Sequence, residues 1–312
     1  MKNQPLVTII SVNYNQLQVT ADMLLSLSKL DYTNYEVIVV DNASATPSAG
    51  LKIDFPFITH ITLPVNTGFA GGNNAALPYA KGEYVLFLNN DTEVSANLLN
   101  DLVQYMQQNP LCGMACPKIK YYQRPNTIQY AGTVGPNLLT SRSHNIGYLQ
   151  NDDGTYNSSY VTDQPNGAAM MVPMHLIKSL GPMSELFFLY YEELDWAARF
   201  KKAGYQVHYV GTTHILHKES VSTGKNSPFK TYYLYRNRLL YIRRNYRLHH
   251  QLISGGFFVA VSTPVHCIKH GLKGEWKHTL AILRALGWNM LHRAMAEPSI
   301  LSVSTKNNLI VC

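Results

Sequence analysis

Cysteine is scarce in this chain of 312 residues: Cys112, Cys116, Cys267 and Cys312 are all it has, with no metal-type pairing and no plausible disulfide framework. A reducing compartment is expected. No secretory signal is expected either, because Met1-Lys2-Asn3-Gln4-Pro5 runs straight into the β-rich stretch Val7 to Val12. No apolar run reaches the ~20 residues that span a bilayer; the longest, about Gly255 to Ile268, is broken by Pro264. Charged residues are only 14% of the whole, and acids all but vanish near the C-terminus. Residues 1–235 hold 15 Lys and Arg against 17 Asp and Glu, whereas residues 236–312 hold 11 against 2. A mildly acidic body thus carries a basic appendage, a balance suited to an anionic surface. A nucleic-acid partner is not expected, since the basic segment has no recognised motif and the body has the wrong sign.

What the sequence does have is a core. Hydrophobic residues make up 46% of it, enough for one large domain with an appendage. Tyr84 to Leu88 is an unbroken apolar run that reads as a strand buried on both faces, and it stops abruptly on Asn89-Asn90-Asp91. Val7 to Val12 ends the same way on Asn13-Tyr14-Asn15, and Glu36 to Val40 ends on Asp41-Asn42-Ala43-Ser44. Ile58 to Leu63 reads as another strand, and helices fall between them, one with Met23, Leu24, Leu27 and Leu30 on a single face and one from about Ala96 to Gln108. Alternation at this spacing predicts an α/β fold built on a mostly parallel, Rossmann-like sheet flanked by helices. Three polar clusters then share the carboxyl edge, where open α/β sheets bind ligands.

Two further stretches carry chemistry. Asn66-Thr67-Gly68-Phe69-Ala70-Gly71-Gly72-Asn73-Asn74 lets backbone approach a ligand closely at its glycines. It has neither the Rossmann glycine spacing nor the P-loop lysine, which counts against NAD or ATP. Leu186 to Tyr191 is apolar and aromatic and turns into Glu192-Glu193-Leu194-Asp195, the acidic start of a helix that ends in bases and Gly204. The helix dipole accounts for part of that acid cluster; three carboxylates beside an aromatic run exceed what capping needs. Residues 119–165, rich in Tyr, Asn, Asp, Gly and Ser, read as hairpins and loops over the site.

In their order, these motifs resemble a family 2 inverting glycosyltransferase of the GT-A fold, and within it a rhamnosyltransferase-like bacterial branch, over roughly residues 5–245. The resemblance implies that Asn13, Asp41, Asn42 and Ser44 surround the nucleoside, with Asp41 on the base. It implies that Asn66, Gly68, Gly71 and Asn74 form the glycine-rich turn beside the nucleotide. Asn89-Asn90-Asp91 matches the Asp-x-Asp metal motif with Asn89 at the first acidic position, so Asp91 alone offers a carboxylate to a divalent cation, Mg or Mn. His217, opening His217-Lys218-Glu219-Ser220-Val221-Ser222-Thr223-Gly224, would complete the metal shell or touch the diphosphate, with His214 its nearest competitor. Asn90 would lie at the nucleotide, and Arg236, in Tyr233-Leu234-Tyr235-Arg236-Asn237-Arg238, would lie near the donor phosphates or brace the site. Glu193 aligns with the general base; Glu192 and Asp195 are the alternatives, one to orient the acceptor and one to cap the helix.

The implied reaction moves a sugar, from dTDP-rhamnose or a UDP-hexose, to a glycan or polyprenyl-diphosphate-linked acceptor in cell-surface polysaccharide synthesis. The alternative is an inactive nucleotide-sugar-binding or scaffold protein, which Asn89 supports. Residues 1–245 are expected to form the catalytic domain and 246–312 a helical basic extension. Within it Trp276 to Leu291 is helical in pattern, with Leu280, Leu283 and Met290 on an apolar side and Lys277 and Arg284 on a basic one. Basic amphipathic helices with Trp lie in the membrane interface, so peripheral contact with the anionic inner face of the plasma membrane is expected, on the cytoplasmic side.

Overall fold

The computed structural model describes residues 4–218, 226–292 and 310–311. The His217 motif from Glu219 to Gly224, and Cys312, therefore lie outside the described residues. The first half of the chain alternates as its apolar runs dictate: β1 (Val7–Asn13), α1 (Leu17–Leu27), β2 (Tyr35–Asp41), α2 (Leu51–Asp54), β3 (Ile58–Thr62), α3 (Gly68–Ala76) and β4 (Tyr84–Leu88). Strand β1 pairs in parallel with both β2 and β4, and β2 with β3. The order β4-β1-β2-β3 reverses direction at β1, and such a switch point leaves a crevice outside the carboxyl ends of the two diverging strands. Those ends are Asn13 of β1 and Asn89 just past β4.

The second half is mixed. It runs β5 (Thr92–Val94), α4 (Leu98–Gln108), β6 (Cys112–Tyr121), β7 (Arg124–Tyr130), a ribbon of β8 (Thr133–Val134) and β9 (His144–Asn145), and β10 (Tyr160–Thr162). Then come β11 (Ala169–Pro173), α5 (Met174–Leu180), α6 (Glu192–Lys202) and β12 (Gln206–His217). Strand β11 lies between β4 and β6 and runs antiparallel to both. The reason is topological: Ala169 pairs with Leu88, so residues 135–168 deliver the chain to the same edge at which β4 ends, with no crossover helix to reverse it. Residues 119–165, expected as hairpins and loops, span the end of β6, then β7, β8, β9 and β10 with the turns and loops between them. Of the described residues, Ile310–Val311 (β13) adds antiparallel to β3.

Four helices follow β12 among the described residues: α7 (Pro228–Asn245), α8 (Leu248–Phe257), α9 (Thr263–Leu272) and α10 (Trp276–Leu291). Ser227 caps α7 by accepting from the Lys230 N–H at 3.2 Å, with Pro228 in the first turn, where its missing donor costs nothing. One expectation is corrected in this region. Pro264 does not break the apolar run: a π turn over Phe258–Ser262, in which the Thr263 N–H bonds to Phe258 O, joins α8 to α9 in one 25-residue helix, Leu248–Leu272. The wider turn accommodates a residue that cannot donate and whose ring crowds the preceding turn. By length and composition this helix could cross a membrane, though the same is true of the core helices of soluble proteins. Its inner side carries the buried Ser254, Phe258 and Thr263. The basic excess also looks different in three dimensions, because Arg236 and Arg238 are buried and Arg244 is paired with Asp195.

Candidate active site

A cavity of about 610 Å³ opens at the predicted crevice, lined by residues of three strand ends, the glycine-rich segment and the 188–190 loop. Asn42, Asn66, Gly68, Asn90, Asp91 and His217 all face it. Asn42 organises the nucleotide-side wall. Its amide donates to Asn66 Oδ1 at 3.1 Å and Gly68 O at 2.9 Å, and its carbonyl accepts the Thr67 N–H at 2.9 Å. Gly68 sits at φ +74°, and a Cβ there would fall 2.1 Å from Phe188 O, so no side chain fits.

Asn13, Asp41 and Ser44 stand behind this wall and hold it. Asn13 Nδ2 donates to Ser44 Oγ at 3.1 Å, tying the ends of β1 and β2. Asp41 is buried, yet its carboxylate accepts the Ser44 N–H at 2.9 Å and both the Ser48 N–H and hydroxyl at 2.7 Å. Burial pushes its pKa up, and these hydrogen bonds outweigh burial and hold it below the usual carboxylate range. Gly71 packs against Thr67, and Asn74 donates to Met183 O at 2.8 Å; neither reaches the cavity wall.

Strand pairing brings together the expected metal ligands. β5 pairs with β12 so that His217 lies opposite Thr92, which sets Asp91 beside the imidazole: Asp91 Oδ1 is 3.2 Å from His217 Nε2. On the other side of the ring, Gln129 Oε1 lies 2.8 Å from Nδ1. A proton on Nδ1, donated to this amide oxygen, would free Nε2 for a cation shared with Asp91, the arrangement by which outer partners orient ligating histidines. Gln129 was missed in the sequence, and nothing in its strand marks it. His214 points away from the cavity, where burial pushes its pKa down to about 4. Among the described residues no cluster of three His, Cys, Asp or Glu side chains could hold a metal. A carboxylate and an imidazole still suit a divalent cation that takes its other oxygens from a diphosphate and water.

The three acidic candidates separate sharply. Asp195 is 2% exposed, with Arg244 Nε donating to Oδ1 at 2.9 Å, Nη2 to Oδ2 at 3.2 Å and Asn245 Nδ2 to Oδ1 at 2.7 Å. Both its oxygens are committed to joining α6 to α7, which leaves none for an acceptor. Glu192 is 3% exposed, and burial together with the neighbouring Glu193 pushes its pKa well up. Glu193 keeps partial residue exposure, but its Oε2 is buried without a hydrogen-bond partner among the described residues. Burial pushes its pKa up to about 7. A Cβ on Gly167 would lie 3.8 Å from the Glu193 carboxyl carbon and from Phe69, and Phe69 and Asn166 line the cavity. The glutamate therefore stands just behind the cavity wall, at a gap a side chain would narrow.

Arg236 does not face the cavity; it donates to the carbonyls of Leu186 and Phe187 instead. The aromatic loop it grips lines the cavity, as do Tyr14, Tyr148, Phe229 and Lys230.

Residues 8–164 match the model of Glycosyl transferase family 2. The chain belongs to that family. It is 26% identical over 240 residues to the low-salt glycan biosynthesis hexosyltransferase Agl10 of Haloferax volcanii, covering 75% of this chain and 74% of that one. It is 24% identical over 237 residues to the dTDP-rhamnosyl transferase RfbF of Shigella flexneri, covering 70% and 75% respectively. Coverage is uneven: another curated relative matches 80% of this chain, yet the match spans only 28% of that relative's length. Among solved structures, GalNAc-T7 with UDP, GalNAc and Mn2+ superposes with a TM-score of 0.63 at 14% identity, covering 78% of this chain and 48% of that one. At that identity the likeness speaks for the fold alone, and the fold is GT-A.

Proposed function

We propose that this family 2 glycosyltransferase moves a sugar with inversion from a nucleotide diphosphate, dTDP-rhamnose or a UDP-hexose, to a glycan or polyprenyl-diphosphate-linked acceptor during cell-surface polysaccharide synthesis. The observation that carries the reading is the Asp91–His217 pair on the cavity at the switch point, with the Glu193 carboxyl close behind the same cavity's wall at Gly167. Glu193 is the general base: once ionised, a buried carboxylate whose Oε2 has no hydrogen-bond partner among the described residues takes a hydroxyl proton readily, and a pKa pushed up to about 7 suits a base acting near neutral pH. Asn42, Asn66 and Gly68 shape the nucleotide side. Asp91 and His217 would hold Mg or Mn, which when bound sets positive charge against the departing diphosphate. Glu192, buried beside the base, orients and desolvates the acceptor side.

Release of nucleotide across a panel of dTDP-, UDP- and GDP-sugars, with Mg or Mn and a membrane extract as acceptor source, tests this. Release with one donor, abolished in Glu193→Gln, supports it. Asn89 favours a second reading, a nucleotide-sugar-binding protein without turnover; nucleotide binding with silence from every donor would establish that one instead.

We also propose that the C-terminal helices lie in the plane of the cytoplasmic leaflet. Leu248, Leu252, Ile268 and Leu272 are exposed, as are Trp276, Leu280, Leu283 and Met290 of α10. Phe258 stacks under Arg238 at 4.6 Å, and Ala281, Ile282 and Ala285 are buried. Helices held to the domain along one side present their apolar side to an interface more readily than they span it. Lys269, Lys273 and Lys277 supply the charge that anionic lipid attracts. The full chain should sediment with anionic vesicles, whereas Leu252→Ser combined with Leu272→Ser should not; equal pelleting would sink the idea.

A further inference from the structure

The loop from Leu186 to Tyr191 is held in an unusual state. Phe188, Tyr190 and Tyr191 have φ of +63°, +68° and +77°, in the left-handed region that large side chains avoid. Three such residues in four positions do not persist unless the surroundings impose them. Two side chains from α7 do so. Asn237, fully buried, places the two hydrogens of Nδ2 among three carbonyl oxygens, Phe187 O at 2.8 Å, Leu189 O at 2.7 Å and Tyr190 O at 2.8 Å. Arg236 donates from Nη2 to Leu186 O at 2.6 Å and Phe187 O at 2.5 Å, and from Nε to Asn237 Oδ1 at 2.7 Å, which aims the Asn237 amide at the loop. The guanidinium is sandwiched by Tyr233 and Trp288, each 4.6 Å away, and α10 adds a hydrogen bond from Asn289 Nδ2 to Arg236 O at 2.9 Å.

What the loop connects gives the clamp its meaning. Phe188 O accepts the Phe69 N–H at 2.7 Å, fixing the glycine-rich segment. Phe188, Leu189 and Tyr190 line the cavity. Tyr191 is the residue from which α6 starts, immediately before Glu192 and Glu193. We infer that Arg236 and Asn237 are positioning residues: a carbonyl clamp that forces this loop into its left-handed path and thereby sets the Glu193 carboxyl against the cavity. The inference rests on the transferase reading above. Neither residue lines the cavity; each acts through the loop.

The test uses the full chain with Asn237→Asp, which keeps shape but loses every donor, and Asn237→Ser, which keeps one. Donor affinity should fall several-fold at most, because Asn42 still holds the Gly68 carbonyl when the loop loosens. The transfer kcat should fall at least thirtyfold in Asn237→Asp and less in Asn237→Ser. Amide hydrogen exchange in residues 186–191 should quicken at least tenfold while β1, β2 and β4 keep their protection. A kcat within threefold of wild type would overturn the clamp. So would a parallel loss of donor affinity, kcat and sheet protection, which marks a merely structural residue. If neither variant folds, Arg236→Lys, which keeps the charge and loses the fork, undergoes the same measurements, and the same outcomes support or overturn the clamp. A wild type silent with every donor overturns the transferase reading itself, and the exchange data distinguish that failure from a failure of the clamp.

Discussion

A residue that serves chemistry at the expense of the fold leaves a signature, and Glu193→Gln should expose it. Burial raises the Glu193 carboxyl from its ordinary 4.5 to about 7. At 1.36 kcal/mol per unit, ionising it in the folded protein costs about 3 kcal/mol. The sign follows from linkage. Below pH 4.5 the carboxyl is protonated whether the chain is folded or not, and no cost arises. Between 4.5 and about 7 the unfolded chain has lost the proton while the folded chain keeps it, so wild-type stability falls as pH rises; above about 7 the deficit is complete. Glutamine does not titrate, and its removal of a like charge also eases Glu192, whose pKa Glu193 helps to raise. Thermal unfolding of the two proteins from pH 4.5 to 8.5 should therefore show Tm values that coincide at the acid end. They should diverge by roughly 5 °C above pH 7 for a chain of this size, with the variant the more stable. Transfer should fall about 10²- to 10⁴-fold, the usual worth of a general base, and the wild-type rate should climb with pH through about 7. A Tm gap indifferent to pH, or a variant that still transfers, would refute both the burial argument and the assignment of the base.

Asp195→Ala should behave oppositely, losing about 3–5 kcal/mol by stranding the Arg244 charge while activity per folded molecule stays within a few fold; calorimetry with activity normalised to folded protein checks it, and a stable but inactive variant would reject it. Gly68→Ala should cost about 2–4 kcal/mol, from the left-handed backbone and the 2.1 Å approach to Phe188 O, and should weaken nucleotide binding at least tenfold by titration calorimetry; unchanged binding would contradict the packing. Asp91→Asn should abolish the strengthening of nucleotide binding by Mn, measured by titration with and without the ion, and a surviving Mn response would remove Asp91 from the cation site.

The sheet was legible because its information is local. Apolar runs such as Tyr84–Leu88 mark buried strands wherever they stand, and the polar residues that stop them mark one edge. The carboxyl edge as the place for a ligand followed from the alternation; the strand order that puts the switch point at β1 did not. The roles of the three acids did not follow. Glu192, Glu193 and Asp195 share one helical turn, and what distinguishes them arrives from elsewhere: Arg244 and Asn245, about fifty residues on, claim Asp195, while Gly167 opens the space in front of Glu193. Pro264 defeats local reading for a related reason, since a proline ends a helix only when the backbone does not widen around it.

The 186–191 loop shows where local reading must fail. Its aromatic residues favour strands and shun left-handed backbone, so sequence alone argues for an extended segment there. The conformation is imposed by hydrogen bonds to the loop's carbonyls from two side chains on α7, and α7 is itself braced by α10. The basic segment that looked like a surface feature thus supplies, through Arg236 and Arg244, the internal contacts that fix both ends of the acidic helix's approach to the cavity. A conflict between local preference and observed backbone is expected where function outweighs stability. Here the conflict lies between the nucleotide loop and the base, the two parts whose mutual placement the transfer reaction depends on. If the reading holds, stabilising the loop's own preference should weaken transfer before it weakens donor binding, because Asn42 and Asp41 hold the nucleotide wall in addition to the Phe188 contact.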